Sequence, residues 1–349
     1  MKVYFTLSMQ EGCYFYRCLT PLIAGGWDGD KTSLRNWHFN ENSMAQACMD
    51  ADIVVFQRPN DERCLQIADT LRKLGKKIVM DSDDTYKDID GHKFEYLLDK
   101  VNKYLDEFGR KADLITCPTE FLAKEYRELN DNVAVLPNCI DPNAWPEPLR
   151  NEGDKVRIGV VGSTAYESDW QGFKQVLESL NRKNDVQLVL FGLPAKDEDT
   201  ARVVQKVHAK DYAFWESLNI EWQPLVPMAD YFDTLNELRL DLMLIPRADR
   251  YFNRCKSNLK FLEASMLEIP VIAQGFTTND SPYQQNPKDS QFMRVIIDNS
   301  KWMDEIKMFL RYKSLRRDWG QKAKQYVLEN YNIAVKIHLW EQEYAKLFG

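Results

Sequence analysis

Twice along the chain, short continuous apolar runs alternate with longer segments whose apolar residues recur at helical spacing, and a proline-rich break divides the two series. In the first series KVYFTL, ADIVVFQ, KKIVMD, DLITCP and NVAVLPN read as strands. GCYFYRCLTPLIAGG reads as a loop entering a helix that Gly25 and Gly26 end. DERCLQIADTLRKLG, HKFEYLLDKVNKYLDEF and TEFLAKEYREL read as helices, the last capped by Thr119. Strands that are apolar throughout, rather than on alternate residues, belong to parallel sheets covered on both faces by helices. CIDPNAWPEPLRNEGDK, with Pro142, Pro146, Pro148 and Gly153, breaks the rhythm and predicts an interdomain linker. The pattern restarts with strands at KVRIGVVG, VQLVLFG, IEWQPL, DLMLIP, PVIA and MRVIID. Helices fall at WQGFKQVLESLNRK, ARVVQKVHAKDYAFWESL, MADYFDTLNELR and SNLKFLEASMLE, and from Lys301 the chain is helical to its end with a break near Tyr331. The expectation is an α/β chain of two Rossmann-like domains, residues 1–150 and 151–330, with residues 331–349 a terminal helix. Each domain opens a ligand crevice at the carboxyl ends of its strands, and the two crevices face across a cleft.

The 349 residues exceed what one compact core usually holds, which agrees with two domains. A formal net charge of −7 argues against a broad basic surface for gripping nucleic acid, while leaving room for a local patch. The 7 cysteines are scattered, with no CxxC pair to suggest zinc or a redox dithiol, so reduced thiols are expected. The first residues lack a signal-peptide core and no apolar run approaches the ~20 residues of a membrane span, so the chain reads as cytoplasmic.

RCKSNLKFLEASMLEIPVIA (254–273) opens a helix with basic and polar residues and feeds it at once into an apolar strand. Ser257 is suited to cap that helix, leaving its first amides, at Asn258 and Leu259, to bind an anion. Lys256 adds a charge at the helix start, and Arg247, Arg250 and Arg254 deepen the positive potential. Glu263, one and a half turns in, is placed to accept from a hydroxyl of the same ligand, as in a nucleotide site. The plain alternative is a capped amphipathic helix that buries Leu259, Leu262 and Met266 and leaves Glu263 in water.

These segments, in this order, resemble the retaining glycosyltransferases of the GT-B fold, the large family called glycosyltransferase group 1. GluAlaSer followed by IleProValIle is similar to the family's donor-site element, which implies that Glu263 meets the ribose hydroxyls of a nucleotide sugar. RIGVVGST resembles the first strand and phosphate loop of the donor domain, with Gly162 and Ser163 where the backbone approaches the diphosphate. ADLITCPTEFLAKEYRELNDNVAVLPNCID resembles the end of the N-terminal domain, with Cys139 in place of a glycine. VLENYNIAVKIHLWEQEYAKLF is similar to the final helix that crosses back to that domain. Two departures stand out. Cys255 occupies the position of a second glutamate that often contacts the sugar, and the Gly162 loop lacks the usual arginine and lysine. Charge compensation at the diphosphate is therefore assigned to Lys256 and Arg247. Lys256-Ser257 and Asp81-Ser82-Asp83-Asp84 are reminiscent of bacteriophage-encoded members. The resemblance implies a hexosyl- or pentosyltransferase that retains anomeric configuration, uses a nucleoside diphosphate sugar and requires no metal or cofactor.

Asp81-Ser82-Asp83 has the form of the DxD triplet by which the other main glycosyltransferase fold holds a divalent metal. That fold has a single nucleotide-binding domain, so no metal is expected here. Asp83 and Asp84, at a strand's carboxyl end, are read as shaping the acceptor side, against the alternative of a solvated turn. Gly12, Tyr16 and Arg17 are placed on the same side. For these the simpler reading is that Tyr16 packs and Arg17 pairs with a carboxylate. His92, beside the reacting centre, and Lys256, at the departing diphosphate, are nominated as catalytic; His38, His208 and His338 have no comparable placement. RYKSLRRDWGQKAK, rich in Lys and Arg, reads first as a solvated helix face and only second as a site for nucleic acid or an anionic membrane.

The function expected is sugar transfer to an acceptor held by the N-terminal domain: a modified DNA base, a glycan or a protein. DNA requires a basic cleft and an extruded base, which the overall acidity does not favour. A sugar-phosphate mutase or epimerase is a further enzymatic alternative. From another class comes a degenerate domain pair that binds nucleotide sugars or scaffolds an assembly without turnover, for which Cys255 and the missing arginine speak.

Overall fold

The computed structural model describes residues 1–6, 12–29, 41–89, 95–162, 169, 172–192 and 213–349. In the first half, β1 (Val3–Thr6), β2 (Asp28–Gly29), β3 (Ile53–Gln57), β4 (Lys77–Asp81), β5 (Leu114–Cys117) and β6 (Val133–Val135) form one parallel sheet in the order β2-β1-β3-β4-β5-β6. The helical run α1 joins Gly12–Tyr14, a π-helical Phe15–Leu19 and Thr20–Ala24. α2 (Glu41–Asp50), α3 (Glu62–Lys73), α4 (Glu95–Lys111) and α5 (Glu120–Tyr126) complete this half.

In the second half, β7 (Val156–Val161), β8 (Val186–Phe191), β9 (Ile220–Gln223), β10 (Leu242–Ile245), β11 (Val271–Gln274) and β12 (Arg294–Ile296) form another parallel sheet in the order β12-β11-β10-β7-β8-β9. Among the described residues its helices include α6 (Lys174–Asn181), α7 (Met228–Glu237), α8 (Tyr251–Cys255), α9 (Leu259–Met266), α10 (Trp302–Arg311) and α11 (Lys313–Asn330), followed by α12 (Ile333–Lys336) and α13 (His338–Ala345). The strand order reverses between β1 and β3 in one sheet and between β7 and β10 in the other, and crevices open at such points.

Side chains on neighbouring strand positions point to opposite faces, and both faces of each sheet are apolar. In β1 and β3, Val3, Phe5, Ile53 and Val55 join one buried cluster while Tyr4, Val54 and Phe56 join another. The first of these clusters also holds Ile333, Trp340 and Tyr344 from α12 and α13, so the C-terminal helices return to the first sheet as expected. A parallel bridge fastens that return: Ile140 N donates to Tyr331 O (2.7 Å) and Ile333 N to Ile140 O (2.9 Å).

The anticipated strands and helices form wherever the structure describes them, with shorter ends. Three of the elements named above had no counterpart in the sequence reading: the two-residue edge strand β2, α2, and α8, which occupies the loop expected before α9. Residues 201–212 of the helix expected at 201–218 lie outside the described residues. The basic stretch of α11 is not simply a solvated face. Arg316 is buried and donates to Phe309 O and Leu310 O, and Lys324 pairs with Glu268. Among the described residues no helix is long and apolar enough to cross a membrane.

Candidate functional site

At the carboxyl end of β7 the chain turns through Gly162 with φ +105°, a conformation that a residue with a Cβ adopts only under strain. The space is also occupied. A Cβ on Gly162 would lie 3.1 Å from Lys260 Cε and 3.7 Å from Nζ, so the lysine of α9 lies over this turn. Lys260 Nζ donates to Glu263 Oε2 (2.6 Å) and to Tyr231 OH (2.7 Å). Tyr231, from α7, donates to Glu263 Oε2 (2.9 Å) and stacks on Phe191, the last residue of β8. Glu263 Oε1 accepts from Tyr16 OH (3.0 Å), which comes from α1 of the other half of the chain. A buried carboxylate is tolerated only when paired and hydrogen-bonded, and this one has a cation and two phenols. Burial, and then the nearby Glu263 charge, push both phenols well above their ordinary pKa, so they are donors at any working pH.

Glu263 is thus not solvated: its residue is 2% exposed, and Oε2 already accepts from both Lys260 and Tyr231 while Oε1 accepts from Tyr16. Lys260 was missed in the sequence reading. The available signal was its position three residues before Glu263, which puts both side chains on one helix face.

Lys256 and Ser257 lie between α8 and α9 and face the first domain. Lys256 Nζ donates to Asp84 Oδ1 (2.6 Å), and Ser257 Oγ accepts from Asn138 Nδ2 (2.8 Å). Ser257 is not the cap that was expected. The N-cap of α9 is Asn258, with no side-chain capping bond, because its amide donates instead to Asp289 Oδ2 (2.6 Å) and Tyr331 OH (3.1 Å). Of the first amides of α9, that of Phe261 already donates to Asn258 O (2.9 Å), and those of Leu259 and Lys260 precede the intrahelical ladder. Cys255 is fully buried in the apolar cluster of the first domain, and its backbone carbonyl accepts from Thr119 Oγ1 (3.4 Å). Burial pushes its thiol well above the usual range. Beside it Tyr251 OH donates to Glu125 Oε2 (3.0 Å), again across the two halves.

On the first-domain side, Arg17 is buried and binds Asp81 through Nε (3.1 Å) and Nη2 (2.7 Å), with Asp81 also accepting from Thr116 (2.7 Å). Arg17 therefore does not line the cleft; it anchors α1 to the end of β4. Arg58, at the end of β3 with φ +47°, grips Asp83 (2.6 and 2.8 Å) and Asp84 (2.9 Å). Burial opposes the Asp83 charge, but Arg58 outweighs it and lowers the carboxyl to about 2. Asp81, Asp83 and Asp84 are thus all committed to cations of the chain. Gly12 has an ordinary φ and room for a side chain, its nearest neighbour being Met228 Sδ at 3.8 Å. Arg247 does not join the Gly162 cluster. It donates to the buried Asp169 (3.3 Å) and, with Asp249, Gln274 and Asn299, lines a cavity of about 260 Å³ whose lining includes none of Gly162, Lys260 and Glu263. His92 and Ser163 lie outside the described residues.

Two parallel Rossmann-like sheets in succession, with a C-terminal helix returning to the first, constitute the GT-B fold, and the chain has it. No protein-family model and no curated protein matches the sequence. Among solved structures the chain is similar to the sucrose-phosphate synthase from Thermosynechococcus elongatus, with a TM-score of 0.66 and 12% identity over 100% of this chain and 99% of that one. It is similar to Anabaena HepE in complex with UDP-glucose, with a TM-score of 0.65 and 12% identity over 99% of each chain. A glycosyltransferase from Rickettsia africae follows with a TM-score of 0.61 and 10% identity, over 99% of this chain and 98% of that one. At these identities the likeness establishes the fold.

Proposed function

We propose that the chain is a glycosyltransferase that moves a sugar, with retention, from a nucleoside diphosphate donor in the second domain to an acceptor in the first. The observation that carries this reading is the Lys260, Glu263, Tyr231 and Tyr16 cluster over the Gly162 turn, at the carboxyl ends of β7 and β8. In this reading the diphosphate lies along the Gly162 turn and the first amides of α9. Lys260 swings from Glu263 to the diphosphate, and a ribose hydroxyl takes its vacated place on Glu263 Oε2. The ammonium and the helix end then stabilise the charge that develops on the departing diphosphate. Residues 1–150 serve the acceptor, 151–330 the donor, and 331–349 tie the two. Arg58, Asp83, Asp84 and Lys256 form the acceptor-side wall, and Ser163 and His92 keep the roles that the sequence pattern assigns them.

One observation favours a second reading, a nucleotide-sugar binder without turnover: Cys255, at the position where related sequences carry a sugar-contacting glutamate, is packed in the core of the other domain. A thermal-shift screen of UDP-glucose and other nucleotide sugars, with and without magnesium, tests both. UDP-glucose is the first choice because HepE is seen with it. A sugar transferase is stabilised by its donor, hydrolyses it slowly, passes the sugar to one of a set of DNA, glycan and protein acceptors, and loses all three on Glu263→Ala. Stabilisation without hydrolysis or transfer supports the binder, and no shift with any donor overturns both.

A further inference from the structure

Of the three donors on Glu263, two come from its own domain and the third does not. Tyr16 lies on α1, which follows β1 of the first sheet, 247 residues away in sequence from Glu263. Its ring is fixed by edge contacts with Phe15 (5.0 Å) and with Phe232 of α7 (6.5 Å), and it is 2% exposed. Phe15 packs on Phe232 as well (5.1 Å), so α1 and α7 meet through three rings around this single polar bond. The bond exists only while the two domains are together.

The geometry points to Tyr16 as a positioning residue that couples domain closure to the charge offered to the donor diphosphate. This rests on the donor reading above. Lys260 is held by Glu263 Oε2, and a diphosphate must compete with that carboxylate for the ammonium. With the domains together, the Tyr16 hydroxyl draws charge onto Oε1 and fixes the carboxylate plane, so the hold on Lys260 is looser. When the domains part, Oε1 loses its partner, the carboxylate turns fully to Lys260, and the cation is withdrawn from the Gly162 turn. Diphosphate affinity is therefore highest in the closed form. Tyr16 acts through Glu263 and Lys260, with no contact to the nucleotide.

Calorimetric titration of the full chain with UDP, GDP, ADP and dTDP tests this, using the diphosphate that wild type binds most tightly. Tyr16→Phe keeps the ring and removes only the hydroxyl; it is expected to weaken that diphosphate about tenfold, equivalent to ~1.4 kcal/mol. In a Lys260→Met background the same substitution is expected to change affinity by less than about twofold, since the residue through which it acts is gone. Phe232→Leu disturbs the same interdomain packing without touching the hydroxyl, and serves as the packing control, expected to weaken binding by less than about threefold. An unchanged affinity in Tyr16→Phe, an equal loss in both backgrounds, or a loss in Phe232→Leu as large as in Tyr16→Phe overturns the inference while leaving the donor site standing. Failure of wild type to bind any of the four overturns the donor reading and the inference together.

Discussion

Arg17→Met is expected to destabilise the first domain far more than a surface change would. Arg17 and Asp81 are 1% and 2% exposed, so the pair is shielded from water. Methionine fills most of the arginine's volume, and the dominant cost is the stranded Asp81 carboxylate, left with Thr116 as its side-chain donor. Breaking a buried ion pair from one side costs about 3–5 kcal/mol. The carbonyl of Leu136 and the amide oxygen of Asn138, both bonded to Arg17 Nη1, lose a donor as well. For a domain of ~150 residues, at about 2–4 °C per kcal/mol, the melting temperature falls by roughly 6–20 °C. Urea denaturation followed by tryptophan fluorescence reads the effect, because Trp27 and Trp340 lie in the cluster on this face of the sheet. The double variant Arg17→Met, Asp81→Leu removes both charges and is expected to recover most of the loss. A single variant within about 1 kcal/mol of wild type, or a double variant no better than the single, refutes the stranded-charge argument.

Lys260→Met is expected to weaken nucleoside diphosphate binding about 10- to 100-fold, whereas Lys256→Met, whose charge meets Asp84, is expected to cost less than about threefold in the same titration. Gly162→Ala is expected to lower stability by about 1–3 kcal/mol through its left-handed φ, with diphosphate affinity falling in parallel as the new methyl displaces Lys260. The Arg58 and Asp83 pair gives a pH signature. A carboxyl lowered to about 2 in the folded state stabilises fully above its unfolded value, near ~3.9, and that contribution is lost as pH falls through about 2. Asp83→Asn is expected to flatten the acid limb of the stability profile between about pH 4 and 2, and an unchanged slope refutes the assignment.

Most of the fold was legible because burial imprints itself locally. Strands such as Leu242–Ile245, with apolar side chains on both faces, announce a covered parallel sheet without any knowledge of their neighbours. The missed helix Tyr251–Cys255 shows the limit. Phe252, Asn253 and Cys255 are buried against different neighbours, so five residues with no single apolar stripe give no helical period to read. Asn258 likewise looked free to leave capping to Ser257, until Asp289 and Tyr331, both far along the chain, claimed its side chain.

The site divides along the same line. Gly162 and Glu263 were nominated from sequence because RIGVVGST and GluAlaSer before IleProValIle resemble donor-site segments; the structure gives Gly162 a positive φ and buries Glu263. Their partners were not legible. Lys256 and Lys260 are equivalent in composition and four residues apart, yet one faces Asp84 of the other domain and the other lies over Gly162. Arg17 was placed on the acceptor side of the cleft, with pairing to a carboxylate as the simpler reading, and the fold realised the pair with Asp81. A sequence of local periods determines which faces are covered and where each chain segment must turn. Which polar group meets which across a gap of 64, 172 or 247 residues leaves no local trace: the packing of α1 on the first sheet decided the first, and the docking of the two sheets the other two.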